Sequence, residues 1–493
     1  MVPADSPRSG RLLRNTVVLG LARVLDRAGG FILAILIAPR LGAAGLGTYS
    51  AAMAIYTMIA IAGEAGTTNF LVREISKDRS RTGSYIVHLS VAAALAALVL
   101  MGVVELVVGH LGYSPELRTS VSIVVLAILP TVLNGIQEAA FLAYGRVELE
   151  TITTLVSTLA YIAIGAVLLG LGHGIPTIMV LYVGLEYLVT AVYFVLITRY
   201  VARLRLAFRW RLARRLIWEM KAFSGSSALA ALFSRPEVVV LSLMASPREV
   251  GYYAAAVRVA EVPTFVPQVF TANVFPLLAE AHGSSEEPMF AKLQARAIRA
   301  MLAFSLPVAA LMLALAHQII PALFGDGFGP SVEVLRILAI TVVCVSLAAV
   351  FWRTLAARGR QRDVLAVQAL MIGARLGGAA LLIGPLGAAG AAIANSANSA
   401  VHVALLAAAN ARSGARAAIV RPGWRFAVAA ALAAAVVWLL SPILSVWALG
   451  PLGVAIYLGV AALEGGLRGE LRRVLDQVAA RRTANRFRSA GGP

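Results

Sequence analysis

The sequence predicts an all-α integral membrane protein of about fourteen transmembrane helices, and three observations carry that reading. Of the 493 residues 60% are hydrophobic, with mean hydropathy +0.83, where a soluble chain is about 45–50% apolar even with glycine counted. Only 14% are charged, against about 25% in typical soluble proteins. Apolar stretches of about 20 residues, long enough to cross the hydrocarbon core, recur along the chain, and basic residues collect between alternate pairs of them. A chain this apolar cannot cover itself with polar surface, so lipid must be its solvent.

The expected spans are 15–38, 45–67, 84–109, 119–143, 150–171, 174–198, 222–244, 250–279, 297–319, 331–353, 363–383, 386–410, 424–441 and 446–464. The first follows Arg8, Arg11 and Arg14 and so resembles a signal peptide. It contains Arg23, Asp26 and Arg27 and has no clean apolar core, so it reads as an uncleaved helix. The pair 150–198 is divided by Gly170, Gly172, Gly174 and Pro176, and the pair 363–410 by Gly384, Pro385 and Gly387. Glycine and proline are the expected breakers at such points.

Charge distribution tests this parse independently. With the N-terminus inside, cytoplasmic segments hold Arg73, Lys77, Arg79 and Arg81, then Arg146, then the 199–221 loop, then Lys292, Arg296 and Arg299, then Arg353, Arg358, Arg360 and Arg362. The outside loops hold only Arg40, Arg118 and Arg248. Lys and Arg favour cytoplasmic loops, which accounts for the net charge of +19 without nucleic acid as a partner. Both termini are therefore expected in the cytoplasm of a multi-pass inner-membrane protein.

The loop 199–221 divides an N-terminal half (1–198, six helices) from a C-terminal half (222–410, six helices), followed by helices over 411–464 and a basic tail over 465–493. In the loop, Arg203, Arg205, Arg209, Arg211, Arg214 and Arg215 alternate with Phe208, Trp210 and Trp218. That pattern suits an interfacial linker lying among lipid headgroups. The halves echo each other. Gly47-Thr-Tyr49-Ser-Ala51-Ala52 recurs as Gly251-Tyr-Tyr253-Ala-Ala255-Ala256, and in the same register Thr67 and Asn69 align with Thr271 and Asn273. Parallel repeats of this kind build transporters with a substrate site between the repeats.

No phosphate-cradling loop and no His-Glu-x-x-His pattern occurs. The six histidines show no ligand spacing, and Cys344 is the only cysteine. No metal, cofactor or catalytic residue is expected. A membrane-embedded glycosyl- or phosphotransferase would need carboxylates for Mg²⁺, and Glu148, Glu150, Glu286 and Glu287 form no such constellation. The informative residues are ions inside the spans, each costing about 2.5–3.5 kcal/mol at a helix centre on the insertion scale. Arg23, Arg27, Arg235, Arg258 and Arg375 are the candidate substrate-binding residues, because guanidinium offers a bidentate fork to phosphate oxygens. Asp26, Glu64, Glu138, Glu237 and Glu261 are candidates for ion coupling or ion pairing; Arg23–Asp26 and Arg258–Glu261 are each three residues apart on one helical face. Glu186, Asn134, Asn398 and His402 add further polar groups.

Several segments resemble one family. They are Phe70-Leu-Val-Arg73-Glu74-Ile-Ser-Lys77-Asp78-Arg79, Arg235-Pro-Glu237 followed by Gly251-Tyr-Tyr-Ala-Ala-Ala and Pro276, Leu323-Phe-Gly-Asp-Gly-Phe328 before Val334-Leu-Arg336, and Gly384-Pro-Leu-Gly387-Ala-Ala-Gly390. In order and spacing they are similar to the O-antigen and exopolysaccharide repeat-unit flippases of the multidrug/oligosaccharidyl-lipid/polysaccharide exporter superfamily, over about Asn15 to Leu463. The resemblance implies two pseudo-symmetric six-helix lobes around a central cavity plus two C-terminal helices. It implies alternating access, a polyprenyl-diphosphate-linked oligosaccharide as substrate, and the polysaccharide polymerase and ligase machinery as partners beside the membrane lipids. Family members commonly pair Arg with Asp where this chain has Arg235 and Glu237, and Glu64 departs from the lipid II flippase branch. Lipid II flipping and cation-coupled multidrug export are the alternatives within the superfamily; arginines inside the spans argue against the second.

Overall fold

The computed structural model describes residues 7–64, 66–202, 208–220, 236–283, 287–412 and 423–463, with side chains excepted at 7–28, 63–64, 69, 423–424 and 461–463. Among these residues every regular element is helical. In order they are α1 (Pro7–Glu64), α2 (Thr67–Lys77), α3 (Thr82–His110), α4 (Pro115–Val125), α5 (Ile128–Tyr144), α6 (Val147–Gly170), α7 (Ile175–Tyr200) and α8 (210–220). Then follow α9 (Pro236–Met244), α10 (Pro247–Glu261), α11 (Phe265–Gly283), α12 (Glu287–Phe324), α13 (Pro330–Ala357), α14 (Gln361–Arg412), α15 (Gly423–Leu440) and α16 (Val446–Leu463).

Among the described residues nine stretches are long and apolar enough to cross a membrane, and two shorter apolar helices follow. Two of the nine hide a pair of spans. α1 turns at Gly42 (φ 65°) and α14 at Gly387 (φ 54°), a left-handed conformation that only glycine adopts without strain. Each leg of α14 is about 25 residues, or about 38 Å at 1.5 Å per residue. Both kinks fall where a break between expected spans lies, whereas of the expected span 222–244 only α9 is among the described residues. Val99 and Leu381 are 69% and 77% exposed, as side chains facing acyl tails should be.

Local chemistry explains the breaks. The stretch expected as one span over 119–143 is two helices meeting at Leu126–Ala127, with Pro130 in the first turn of α5. Proline lacks the N–H that would bond the Leu126 carbonyl; the Tyr187 hydroxyl donates to that carbonyl instead, at 3.3 Å. α6 ends where Gly172 (φ 83°) reverses the chain and His173 N–H bonds Leu168 O at 3.0 Å, a C-terminal closure that satisfies an orphan carbonyl. At the α14 break the Glu249 carboxylate accepts the Ala388 N–H at 2.8 Å and so caps the second leg, where a negative charge meets the positive end of the helix dipole.

The chain forms two compact units. The first takes residues 1–255 with 372–394, the second 256–371 with 395–493. In the first, α2 buries Phe70, Leu71 and Ile75 in a cluster with Tyr85, Ile86, Phe141, Tyr193 and Ile197. Its opposite face holds Arg73 and Lys77 on Glu74, and the Lys77 hydrogen bond keeps the Glu74 carboxyl below the usual carboxylate range. In the second, α12 packs on α13 and α15. Asn410 donates to the Phe351 and Leu406 carbonyls at 3.1 and 3.0 Å, tying α14 to α13 in an apolar setting where an unbonded amide would be costly.

The two copies of the repeated motif cross each other inside the first unit. A Cβ on Gly47 would stand 1.7 Å from the Pro247 carbonyl oxygen, and one on Gly251 would stand 1.9 Å from the Ala43 carbonyl oxygen. Each glycine thus meets the carbonyl four residues before its counterpart, so the contact is reciprocal. Tyr49 and Tyr253, two residues on, are both 2% exposed.

Candidate functional site

α1, α5, α6 and α7 line a partly open pocket of about 290 Å³ inside the first unit, with Glu138, Glu186, Tyr161, Tyr182 and Thr158 among its described walls. α7 supplies one wall because Tyr182, Glu186, Val189 and Tyr193 recur on one helical face; Asn134 and Glu138 are likewise one turn apart on α5. Gly29 admits the fourth wall, since a Cβ there would lie 2.5 Å from the Thr158 methyl.

The polar groups are organised. Asn134 donates to the Glu186 carboxylate at 3.0 Å and accepts from Thr190 at 2.7 Å, so its amide orientation is fixed from both sides. Tyr193 meets Thr154 at 3.1 Å, and Tyr182 donates to Tyr56 at 3.3 Å, which meets Thr131 at 2.5 Å. Tyr56 and Tyr161 both stand edge-on to Tyr182, with centroids 5.5 and 5.4 Å away. Among the described residues the lining offers two carboxylates with phenol, hydroxyl and amide oxygens, groups able to hold a proton or a small monovalent cation.

The sequence candidates fall in several places. Glu138 lines this cavity. Glu237, 3% exposed on α9, and Arg375 on the first leg of α14 form a bidentate pair, Nε to Oε1 at 2.8 Å and the second nitrogen to Oε2 at 2.9 Å. Arg375, which has no partner within helical reach in the sequence, is thus neutralised by a residue 138 positions away. Arg258 and Glu261 lie on the last turn of α10, the first half-buried and the second exposed. Arg235 and the side chains of Arg23, Asp26, Arg27 and Glu64 lie outside the described residues. Glu186 and the tyrosines complete a cavity that was not assembled from sequence. Its signal was there, as a polar face at Tyr182, Glu186, Thr190 and Tyr193 on an otherwise apolar helix.

The model of the family described as "Polysaccharide biosynthesis protein" matches residues 32–333. Comparison with curated protein sequences gives no match. Among solved structures, the chain is similar to "Lipid II flippase MurJ, inward closed conformation" at TM-score 0.77 and 14% identity, over 92% of this chain and 100% of that one. It is similar to an inward-facing multidrug resistance MATE family transporter of the MOP superfamily at TM-score 0.65 and 16% identity, over 81% and 96%. A MOP superfamily transporter from Pyrococcus furiosus, whose title reports reverse polarity of its binding pocket, follows at TM-score 0.55 and 14% identity, over 81% and 95%. At such identities these likenesses show the fold. With the family matched over more than half its length, the chain belongs to the polysaccharide biosynthesis protein family and is a multi-pass membrane protein with the fold of MOP-superfamily transporters.

Proposed function

We propose that the protein translocates a polyprenyl-diphosphate-linked oligosaccharide from the inner to the outer leaflet of the cytoplasmic membrane, for surface polysaccharide synthesis, by alternating access. The family match over 32–333 carries this reading. Arg23, Arg27, Arg235 and Arg258 are the proposed contacts of the diphosphate, because each is an ionised group on a membrane-embedded helix that no soluble role explains. Polymerase and ligase would take the product on the far side. Cells lacking the protein should accumulate the lipid-linked oligosaccharide with its sugars facing the cytoplasm. Normal surface polysaccharide in such cells would contradict the proposal.

The polar cavity supports a contribution from ion coupling. Two carboxylates held among tyrosines in the described lining would take up a cation on one side of the membrane and release it on the other. Glu138→Gln and Glu186→Gln keep the cavity's shape and remove its charge. Each is expected to lower transport by about tenfold or more and to abolish its dependence on a proton or sodium gradient, an energy change of about 1.4 kcal/mol or more. Unchanged gradient dependence in both variants would remove the cavity from the mechanism.

A further inference from the structure

We infer that α8 is an amphipathic docking element for anionic bilayer lipids, held by the first compact unit in a fixed orientation with its outer face against the membrane. The inference goes beyond the transport reading, because it assigns a partner to a surface that no substrate needs to touch.

The inward face of α8 is set by packing. Ala213 is fully buried and Leu216 is 3% exposed, and Leu212 and Met220 pack beside them against the cluster of Phe70, Ile86 and Tyr193. The helix entry is pinned as well. His88, 1% exposed on α3, accepts the Arg209 N–H on Nε2 at 2.8 Å, while its Nδ1 donates to the Ser84 carbonyl at 2.6 Å. Phe208 stacks on the same imidazole at 5.2 Å with the planes 22° apart. One ring nitrogen and one ring face therefore hold the entry of this short helix, while the other nitrogen fixes the ring to α3.

With the inner face fixed, the outer face follows from helical geometry. Trp210, Arg214, Ile217 and Trp218 share an arc of roughly 100° next to the buried arc, and Arg211, Arg215 and Glu219 occupy the next sector. Trp210 and Trp218 are 59% and 60% exposed and Ile217 is 44% exposed. Large exposed indoles beside arginine mark the headgroup level of a bilayer, where an amphipathic ring has both an apolar and a wet neighbour. Charge complementarity names the lipid. Glu219 is taken by Arg215 at 2.8 Å, leaving Arg209, Arg211 and Arg214 exposed with no acidic residue on α8 to offset them. Arg146 and Arg199 add two more guanidinium groups over the Tyr200 ring at the end of α7. α7, which shares the buried cluster, also exposes the apolar side chains Phe194 and Val195.

The test uses the full chain in lipid nanodiscs on a Cys344→Ser background, with a nitroxide attached to Ile217→Cys. The label should collide more often with oxygen than with a water-soluble nickel chelate, as a site in the acyl region does. A label that favours nickel, or one broadened by a second label nearby, overturns the inference in favour of a water-facing helix or a second copy of the chain. Replacing phosphatidylcholine by a mixture with phosphatidylglycerol should raise the melting temperature of wild type. Arg209→Gln/Arg211→Gln/Arg214→Gln should lose that rise and keep the melting temperature seen in phosphatidylcholine alone. An equal rise in both proteins overturns the assignment of anionic lipid. His88→Ala should leave the label lipid-exposed on average but more mobile; an unchanged spectrum would remove His88 from the positioning of α8.

Discussion

Arg375→Ala is expected to destabilise the folded protein by about 3–5 kcal/mol, because it removes the bidentate partner of the buried Glu237 carboxylate, and Glu237→Ala by less, because the Arg375 side chain is 20% exposed. The pair is bidentate, and Glu237 is 3% exposed. The double variant Glu237→Leu/Arg375→Leu should recover most of the loss, since removing both charges together leaves no uncompensated ion in the apolar interior. Thermal unfolding in a single detergent ranks the three variants. A double variant as unstable as either single would show that packing, not charge, dominates here. The double variant also separates two roles for Arg375. If it folds like wild type and still transports, Arg375 serves the fold; if it folds and transport is lost, the guanidinium also meets the substrate.

Gly47→Ala and Gly251→Ala should disrupt the crossing of α1 and α10 even though alanine is the smallest possible addition. The added carbon would sit within 2 Å of a backbone carbonyl oxygen in both cases, and a backbone cannot swing away as a side chain can. Overpacking of this kind costs about 1–3 kcal/mol or more, which depopulates the crossed arrangement roughly tenfold or beyond. Nitroxides on cysteines replacing the exposed Arg40 and Arg248, again without Cys344, would report it. Wild type should give one narrow distance distribution, and both glycine variants a broader and longer one. Because the contact is reciprocal, the two variants should behave alike. If either keeps the wild-type distribution, the close approach is not required for this conformation.

Much of the fold was legible in the sequence because bilayer thickness and backbone chemistry leave few choices. Apolar stretches of spanning length gave the helices, and Gly172, Gly387 and Pro385 marked breaks that the structure contains. The break at Leu126–Ala127 was not legible, since Pro130 announces a lost hydrogen bond but not how far upstream the chain turns. Gly42 reads as one more glycine near an apolar run; its left-handed φ becomes visible only when both legs of α1 are seen. The repeated Gly-x-Tyr motif was legible as sequence, and its reciprocal crossing was not. The Glu237–Arg375 pair shows the general limit. Helical spacing reveals partners three or four residues away, whereas neighbours 138 residues apart depend on which helices touch. The cavity around Glu138 was not legible for the same reason: α5 and α7 each show a polar face, and only packing brings Asn134 onto Glu186.

The central claim is that this chain carries an anionic glycolipid across a bilayer, and flipping in reconstituted vesicles tests it most directly. A polyprenyl-diphosphate oligosaccharide placed in the donor leaflet would be followed by the accessibility of its sugars to an enzyme confined to the far side. The protein should accelerate their appearance well above protein-free vesicles. An imposed potential, negative on the donor side, should increase the rate, because about two charges moving through 100 mV gain roughly 4–5 kcal/mol. A proton or sodium gradient should add to the rate only while Glu138 and Glu186 are intact. Vesicles that fail to move the glycolipid under potential or gradient, yet transport a cationic dye, would contradict the account and assign the chain to cation export.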